Sequence, residues 1–197
     1  ILKAVCALLE SHKKEELSYQ VITIDPEREY AHQSTLFGGQ VIRLAPGSAQ
    51  RINPFDLPRA KEDPSLVEHR DHLADHVQKL HTLLEIMLAD RTPTGAGTLK
   101  SDEKGLLDRA LYEAYRKVGI TTDTKTHDRA APLMRDLYEV LKSGACGQDA
   151  TGLTQRLERF VHGSLSGLFA GPTNVSLDRI IVDFDSKDLE TELRPVG

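Results

Sequence analysis

The chain reads VITIDPEREY from residue 21 to residue 30, an apolar run that ends abruptly in acidic residues and a proline. The first four residues have a strong strand preference, and Asp25-Pro26 closes them, so we predict a buried strand. In open α/β sheets, the carboxyl ends of the strands form the edge where ligands bind. The stretch therefore favours an α/β fold that delivers carboxylates to that edge, although many strands end in Asp-Pro simply in order to turn.

Two further strands are predicted. Residues 37–48, FGGQVIRLAPGS, place a Gly-Gly turn before a short apolar run and a Pro-Gly turn after it. Residues 179–185, RIIVDFD, form the third apolar run. We expect the strands to be mostly parallel, because a strand, a crossover and a parallel strand are the usual α/β construction. Between the second and third strands, Asn53-Pro54 makes a sharp corner at which we expect Asn53 to cap a turn.

Helical periodicity fills the middle of the chain. Apolar residues recur on one face in four stretches, and capping or helix-stopping residues flank them. The helices are predicted over residues 63–87, 101–118, 132–141 and 153–168. Four amphipathic helices joined by polar loops can pack as a small bundle. Residues 1–9 have the same periodicity with no capping residue before them, so the chain is expected to open inside a helix.

Several motifs, read in chain order, resemble one family. They are IDPEREY at residues 24–30, GGQVI at 38–42 and INPFDL at 52–57. These look like the VirB-four-type ATPases of type IV secretion and conjugation, relatives of the FtsK/HerA motor proteins. Residues 157–175 are also similar to the family's segment before its next core strand. The resemblance implies an α/β fragment of a RecA-like P-loop NTPase core with mostly parallel strands and an all-α helical-bundle insertion.

The resemblance also implies a domain organisation. Residues 1–58 would be a partial RecA-like α/β core, residues 59–170 the all-α insertion, and residues 171–197 the return strand and the start of the next core element. In the family a helix follows the P-loop directly, so the chain is expected to lie between Walker A and Walker B of a longer protein. The insertion is expected to project from the ligand edge of the sheet and to contact a neighbouring subunit or a protein substrate.

The nucleotide-binding motifs of such motors are missing from this sequence. A P-loop needs a Gly-Lys dipeptide at a fixed spacing, and Gly-Lys occurs nowhere in the chain. Residues 94–101, TGAGTLKS, have the wrong spacing and follow a helical pattern, so we predict an interhelical loop there. Residues 179–185 imitate a Walker B strand, yet Phe184 stands where a glutamate usually follows the magnesium-binding aspartate. We therefore predict that this chain alone does not hydrolyse ATP.

Composition narrows the class of protein. With 197 residues, 39% of them apolar, the chain can bury a real core. It has neither an apolar run of about eighteen residues nor a signal peptide, so we expect membrane association only through partners. Two cysteines suit a reducing cytoplasm. The net charge of −5 argues against direct nucleic-acid binding, which needs clustered Lys and Arg.

Two classes of function remain open. The first is a segment of a type IV secretion or conjugation ATPase that powers macromolecule transport or pilus assembly. The resemblance then implies ATP and Mg²⁺ in the intact protein, a hexamer, other secretion-system subunits as partners, and a place at the cytoplasmic face of the inner or plasma membrane. The second is a non-catalytic module that docks secretion components. A part of a HerA/FtsK-like DNA translocase is a further alternative.

Few residues are candidates for a site. Glu29 matches the acidic position of the family's Asp-Pro-x-x-Glu-Tyr run and is expected to be catalytic, and Asp25 is expected near the nucleotide. The alternative is that Glu29 forms an ion pair and only fixes its loop. His69, His72 and His76 share one flank of a predicted helix, but the glutamate of H-E-x-x-H is missing. We therefore predict a polar helix edge and no metal site, with a subunit contact or an adventitious metal as the alternatives.

Overall fold

The computed structural model describes residues 20–57, 71–89, 91–92, 95–146 and 149–189. They divide into two compact units. The sheet unit consists of the described residues before Arg51 and after Thr173, and the helical unit consists of those from Arg51 to Thr173. The expected opening helix, the expected helix start at Asp63-Pro64 and the side chain of His69 lie outside the described residues. The domain boundaries expected at residues 58 and 170 stay predictions.

The sheet unit contains three parallel strands. They are β1 (Val21–Asp25), β2 (Gln40–Arg43) and β5 (Ile181–Asp185), in the order β1-β5-β2. The expectation of parallel strands is thus confirmed. The strand that comes last in the chain lies between the two that come first, so β1 and β2 are not hydrogen-bonded to each other. The register pairs Thr23 with Asp183 and Asp25 with Asp185.

A short helix, α1 (Ala31–Leu36), connects β1 to β2. The chain returns to the sheet through Gly38, whose φ of 73° lies in the left-handed region that glycine favours. At Gly39 an added Cβ would lie 2.8 Å from both the Cβ of Ile181 and the carbonyl oxygen of Ser34. A side chain at Gly39 would force these backbones apart. The Gly-Gly turn read in the sequence is therefore required by close packing as well as by the turn.

The helical unit contains five α-helices. They are α2 (His72–Leu88), α3 (Ser101–Lys117), α4 (Met134–Lys142), α5 (Thr151–Val161) and α6 (Ser166–Phe169). Before α3, the two-residue strands β3 (Arg91–Thr92) and β4 (Gly95–Ala96) pair antiparallel. A 3₁₀ turn at Thr124–Thr126 precedes α4. Neighbouring helices pack side by side, α2 on α3, α3 on α4 and α4 on α5. Their core is built from the apolar faces of these helices, including Leu84, Leu107, Leu111, Leu137 and Leu157.

Two helix predictions need correction. The first helix was predicted to run unbroken over residues 63–87, but Asp71 is not helical. It caps a helix that begins at His72 by accepting the N–H of Ala74 at 3.0 Å, while the predicted start at Asp63-Pro64 lies outside the described residues. The fourth was predicted as one helix and is two, α5 and α6. The break occurs at Gly163, where an added Cβ would lie 2.8 Å from the Arg159 backbone and where the N–H bonds the Glu158 carbonyl at 3.2 Å. This tight C-terminal turn ends α5.

The described elements together form an α/β fold, a small parallel sheet accompanied by a set of helices. This confirms the predicted fold class. None of the described helices is long and apolar enough to cross a membrane.

Candidate functional site at the carboxyl edge of the sheet

The carboxyl ends of the three strands carry charged residues at one register position. Asp25 of β1 lies opposite Asp185 of β5, and Arg43 of β2 lies opposite Asp185 on the other side. Asp25 and Asp185 are buried, with 1% and 3% of their surface exposed. Charged side chains at the carboxyl edge of a parallel sheet are what the sequence predicted from Asp25-Pro26.

Asp25 holds the loop that follows β1. One of its carboxylate oxygens accepts the backbone N–H of Glu29 at 2.9 Å, and the other accepts the N–H of Tyr30 at 2.8 Å. A carboxylate that accepts two backbone N–H groups fixes the path of the chain, as it does at a helix N-terminus. Both oxygens thus act on the loop itself. That Asp25 lies near a nucleotide stays a prediction.

Arg28 ties the same loop to the central strand. Its φ is 61°, in the left-handed region that a non-glycine residue seldom adopts. Its Nε donates to Asp185 at 2.5 Å, and its Nη2 donates to Asp188 at 2.5 Å. Asp188 also accepts from Arg43, whose Nε lies 2.8 Å from the same oxygen. The hydrogen bonds from Arg43 and Arg28 lower the pKa of Asp188, and the bond to Asp185 raises the pKa of Arg28.

Glu29 lies between these anchors with an exposed side chain. Its backbone is fixed by Asp25, whereas its carboxylate forms no ion pair or hydrogen bond with any residue that the structure describes. The loop therefore takes its shape from Asp25 and Arg28. Glu29 is left as a carboxylate presented to solvent at the carboxyl edge of the sheet, and its catalytic role stays a prediction.

Asp183 is the aspartate of the stretch that imitates a Walker B strand, and the sequence analysis gave it no role in a site. It lies in the middle of β5 with 0% of its surface exposed. Thr23 Oγ1 donates to its Oδ1 at 2.5 Å, while its Oδ2 has no hydrogen-bond partner within the described part of the chain. Burial raises the pKa of Asp183, and the nearby carboxylates of Asp25 and Asp185 raise it further. The available signal was an aspartate inside an otherwise apolar strand.

The Asn53 corner is a structural anchor of the helical unit. Asn53 is 4% exposed, and its Nδ2 donates to the Asp56 carboxylate and to the Pro132 carbonyl, each at 3.0 Å. Its Oδ1 accepts the N–H of Phe55 at 3.2 Å, and its own N–H donates to Thr173 Oγ1 at 2.8 Å. These four bonds agree with the expectation that Asn53 caps a turn.

Helices α2 and α3 also hydrogen-bond to the corner that Asn53 holds. Tyr115 on α3 donates its hydroxyl to the Phe55 carbonyl at 2.7 Å, and His76 on α2 donates from Nε2 to the Pro54 carbonyl at 3.1 Å. The rings of His76 and Tyr115 meet edge to face with centroids 6.4 Å apart. Burial lowers the pKa of His76, so the neutral ring is the form that the fold prefers. His76, one of the three histidines predicted on one flank of this helix, thus has a packing role.

The described residues do not form a complete nucleotide or metal site. The sequence supplies no Gly-Lys phosphate cradle, and no group of three or more His, Cys, Asp or Glu among the described residues could hold a metal ion. Asp25 is committed to two backbone N–H groups, and Asp185 and Asp188 are committed to arginines. What this edge can do chemically is present the exposed carboxylate of Glu29 on a loop that Asp25 and Arg28 hold in place.

Comparison with solved structures identifies the chain's relatives. VirB4 of Thermoanaerobacter pseudethanolicus matches it with a TM-score of 0.70 and 32% sequence identity, over 96% of this chain and 47% of that chain. This chain is VirB4-like. No protein-family model and no curated protein matches it.

The VirB4 match covers both units of the chain, because 96% of the residues take part in it. The small parallel sheet and its helices are consistent with a RecA-like fragment of VirB4, and the match confirms the resemblance read from residues 24–30, 38–42, 52–57 and 157–175. The VirB4-like chain spans just under half the length of the VirB4 chain that it matches.

Proposed function

We propose that this chain is a segment of a type IV secretion and conjugation ATPase, which powers macromolecule transport or pilus assembly. The VirB4 match supports the family, and the local geometry supports the placement of a site. The observation that carries the proposal is the loop after β1. Asp25 bonds the backbone of this loop, and Arg28 ties the loop to Asp185. The carboxylate of Glu29 is exposed at the edge where α/β sheets bind ligands.

In this proposal the Walker A and Walker B motifs lie in parts of the protein outside the 197 residues. ATP and Mg²⁺ would be held there, with Glu29 contributing a carboxylate and Asp25 holding Glu29 in position. The motor would work as a hexamer with other secretion-system subunits, at the cytoplasmic face of the membrane and attached to it through partners. A loop held by Asp25 and Arg28 that presents an exposed acid suits that role, because positioning is the main requirement of phosphoryl-transfer sites.

The test compares two proteins, the 197-residue chain and the longer natural protein that carries it. With Mg²⁺-ATP the longer protein should turn over and the 197-residue chain should not. If ATP turnover by the short chain persists after further purification, it would contradict the inference that the short chain lacks the nucleotide-binding motifs. A longer protein without turnover that still binds secretion subunits would favour the non-catalytic docking module, and turnover stimulated by DNA would favour the HerA/FtsK-like translocase.

A further inference from the structure

Two arginines converge on one oxygen of Asp188 at the carboxyl edge of the sheet. Arg28 donates from Nη2 to Asp188 Oδ2 at 2.5 Å, and Arg43 donates to the same oxygen from Nε, at 2.8 Å, and from Nη2. Asp188 Oδ1 forms no hydrogen bond with any residue that the structure describes. A carboxylate that matched this pair would accept on both oxygens, so Asp188 is an imperfect partner for the two guanidiniums.

Arg28 has one buried partner and one exposed partner. Its Nε donates to Asp185, whose side chain is 4% exposed, and its Nη2 donates to Asp188, whose side chain is 34% exposed. Exposed ion pairs contribute little to stability, because water solvates both charges and competes with the pair. Asp188 can therefore leave Arg28 at low cost, and the buried bond to Asp185 would keep the guanidinium in place.

Arg43 reaches Asp188 from the opposite side of β5. Its backbone is held in β2 by Gln50, whose Oε1 accepts the Arg43 N–H at 2.7 Å and whose Nε2 donates to the Val41 carbonyl at 3.1 Å. Within the described part of the chain, the guanidinium of Arg43 bonds Asp188 alone. Arg28 and Arg43 thus come from the loop after β1 and from β2, the two neighbours of β5, and meet at one point.

We propose that Arg28 and Arg43 form a receptor for a phosphoryl group, which Asp188 fills in this structure and an incoming phosphate displaces. A phosphate carries up to about two negative charges and at least three acceptor oxygens. Arg43 can donate to two of these oxygens through its planar fork, and Arg28 can donate to a third. The receptor lies at the carboxyl edge of a parallel sheet, where α/β proteins bind ligands.

This receptor goes beyond the proposed function and does not depend on it, because Arg28, Arg43 and Asp188 belong to this chain and no Walker motif takes part. Inorganic phosphate and the terminal phosphate of a nucleotide offer the same chemistry to the two arginines. The ligand class is therefore a phosphoryl group with free terminal oxygens, and titrations with inorganic phosphate and with ATP distinguish the two sources.

NMR titration of the 197-residue chain with inorganic phosphate at low salt tests the proposal. In the unmodified chain, the side-chain Nε–H signals of Arg28 and Arg43 should shift along one saturating curve, and sodium chloride at equal ionic strength should not reproduce that curve. This measurement needs no substitution, so it does not depend on how a variant folds. Signals that do not move, or that move equally with chloride, would overturn the proposal.

A matched pair of variants gives a second readout. Asp188→Asn and Asp178→Asn each remove one negative charge, but exposed Asp178 precedes β5 at the opposite end of the strand. Asp188→Asn should bind phosphate at least about tenfold more tightly than the wild-type chain, because a tethered competitor is gone. Asp178→Asn should bind as the wild-type chain does. Equal gains in the two variants would overturn the proposal, since they would report net charge alone.

The Arg43→Gln substitution, added to Asp188→Asn, should abolish the gain in phosphate affinity, as judged from the Arg28 signal. An unchanged gain would overturn the proposal. In Asp188→Asn, ATP binding at least about tenfold tighter than inorganic phosphate would support the receptor and assign it to a nucleotide, whereas equal or weaker ATP binding would support it as a site for inorganic phosphate. ATP turnover of the longer protein is measured separately, so failure of the ATPase assignment and failure of the receptor can be told apart.

Discussion

Arg28 and Asp185 form an ion pair that joins the loop after β1 to the end of β5, with Arg28 Nε 2.5 Å from Asp185 Oδ2. The two residues are 157 positions apart in the chain. Asp185 is 3% exposed, and it also accepts the N–H of Lys187 at 3.2 Å. Arg28 has a backbone angle that a non-glycine residue seldom adopts, and the pair acts together with Asp25 to hold the loop that carries Glu29.

The first prediction concerns this pair. Asp185→Ala should destabilise the chain by about 2 kcal/mol, because it removes a buried acceptor from a charged donor and a backbone N–H. Asp188→Ala is the matched control, since Asp188 bonds the same arginine from a more exposed position. Urea unfolding at pH 7 measures both. Equal losses in the two variants would show that burial of Asp185 adds nothing to the pair.

The second prediction concerns Asp183, whose Oδ2 lacks a partner among the described residues. Asp183→Asn should stabilise the chain by about 1 kcal/mol at pH 7, because it removes a buried charge and keeps the oxygen that accepts from Thr23. Asp185→Asn should act in the opposite direction, because Asp185 has a charged partner.

The pH dependence of the Asp183 variant carries a definite sign. In the folded wild-type chain the pKa of Asp183 is raised above the ordinary 3.8, so the folded state holds the proton of this carboxyl more tightly than the unfolded state. The stability that this proton brings is fully present below about pH 3.8 and is lost as the pH rises through the raised pKa. The advantage of Asp183→Asn, from unfolding curves at several pH values, should therefore grow upward from pH 4. An advantage that shrinks with rising pH would contradict the assignment.

The third prediction concerns His76, which donates to the Pro54 carbonyl and packs on Tyr115. Burial lowers its pKa in the folded chain, with Lys79 lowering it further, whereas the Pro54 bond and Asp56 raise it. The unfolded chain therefore binds a proton at His76 more readily than the folded chain does. As a result, the free energy of unfolding falls as the pH drops below about 6.5. His76→Gln keeps a donor for Pro54 and cannot titrate, so its stability should depend less on pH between 5 and 7.5.

The matched control is His72→Gln, because His72 lies one turn earlier on the same helix and is exposed. Urea unfolding across that pH range should show the wild-type slope in His72→Gln and a smaller slope in His76→Gln. Identical slopes in the two variants would mean that His76 does not titrate with unfolding.

The fourth prediction concerns Glu29 in the longer P-loop protein that the proposed function assumes. Glu29→Gln keeps the size of the side chain and removes its charge, so kcat should fall at least about tenfold, a barrier increase of about 1.4 kcal/mol. Nucleotide affinity and melting temperature should change little, because Asp25 holds the loop through backbone groups that the substitution leaves intact. Steady-state turnover and a binding titration separate these quantities.

Glu27→Gln is the control for that experiment, since Glu27 is an exposed carboxylate of the same loop. Normal turnover per folded molecule in Glu29→Gln, with a lower melting temperature, would remove Glu29 from the site and leave it a structural role. A tenfold loss in both variants would show that the loop's total charge matters and that the position of Glu29 does not.

Much of the fold could be predicted from local patterns. The strands at β1, β2 and β5 and the helix that begins at Ser101 are where apolar periodicity and turn residues placed them. Such patterns report which faces will be buried, so they locate elements well. The split of the fourth predicted helix at Gly163 was missed, because a glycine inside a helical pattern does not by itself tell whether the helix continues or turns.

The candidate site was only partly predictable. The sequence by itself determined that Asp25 ends a strand and that Glu29 follows in its loop, because strand preference and an Asp-Pro turn act over neighbouring residues. Only the tertiary structure decided that β5 lies between β1 and β2, that Arg28 meets Asp185, that Asp183 is buried with one oxygen lacking a partner among the described residues, and that Gln50 bonds the outer edge of β2. These depend on contacts between residues far apart in the chain, which composition and spacing do not encode.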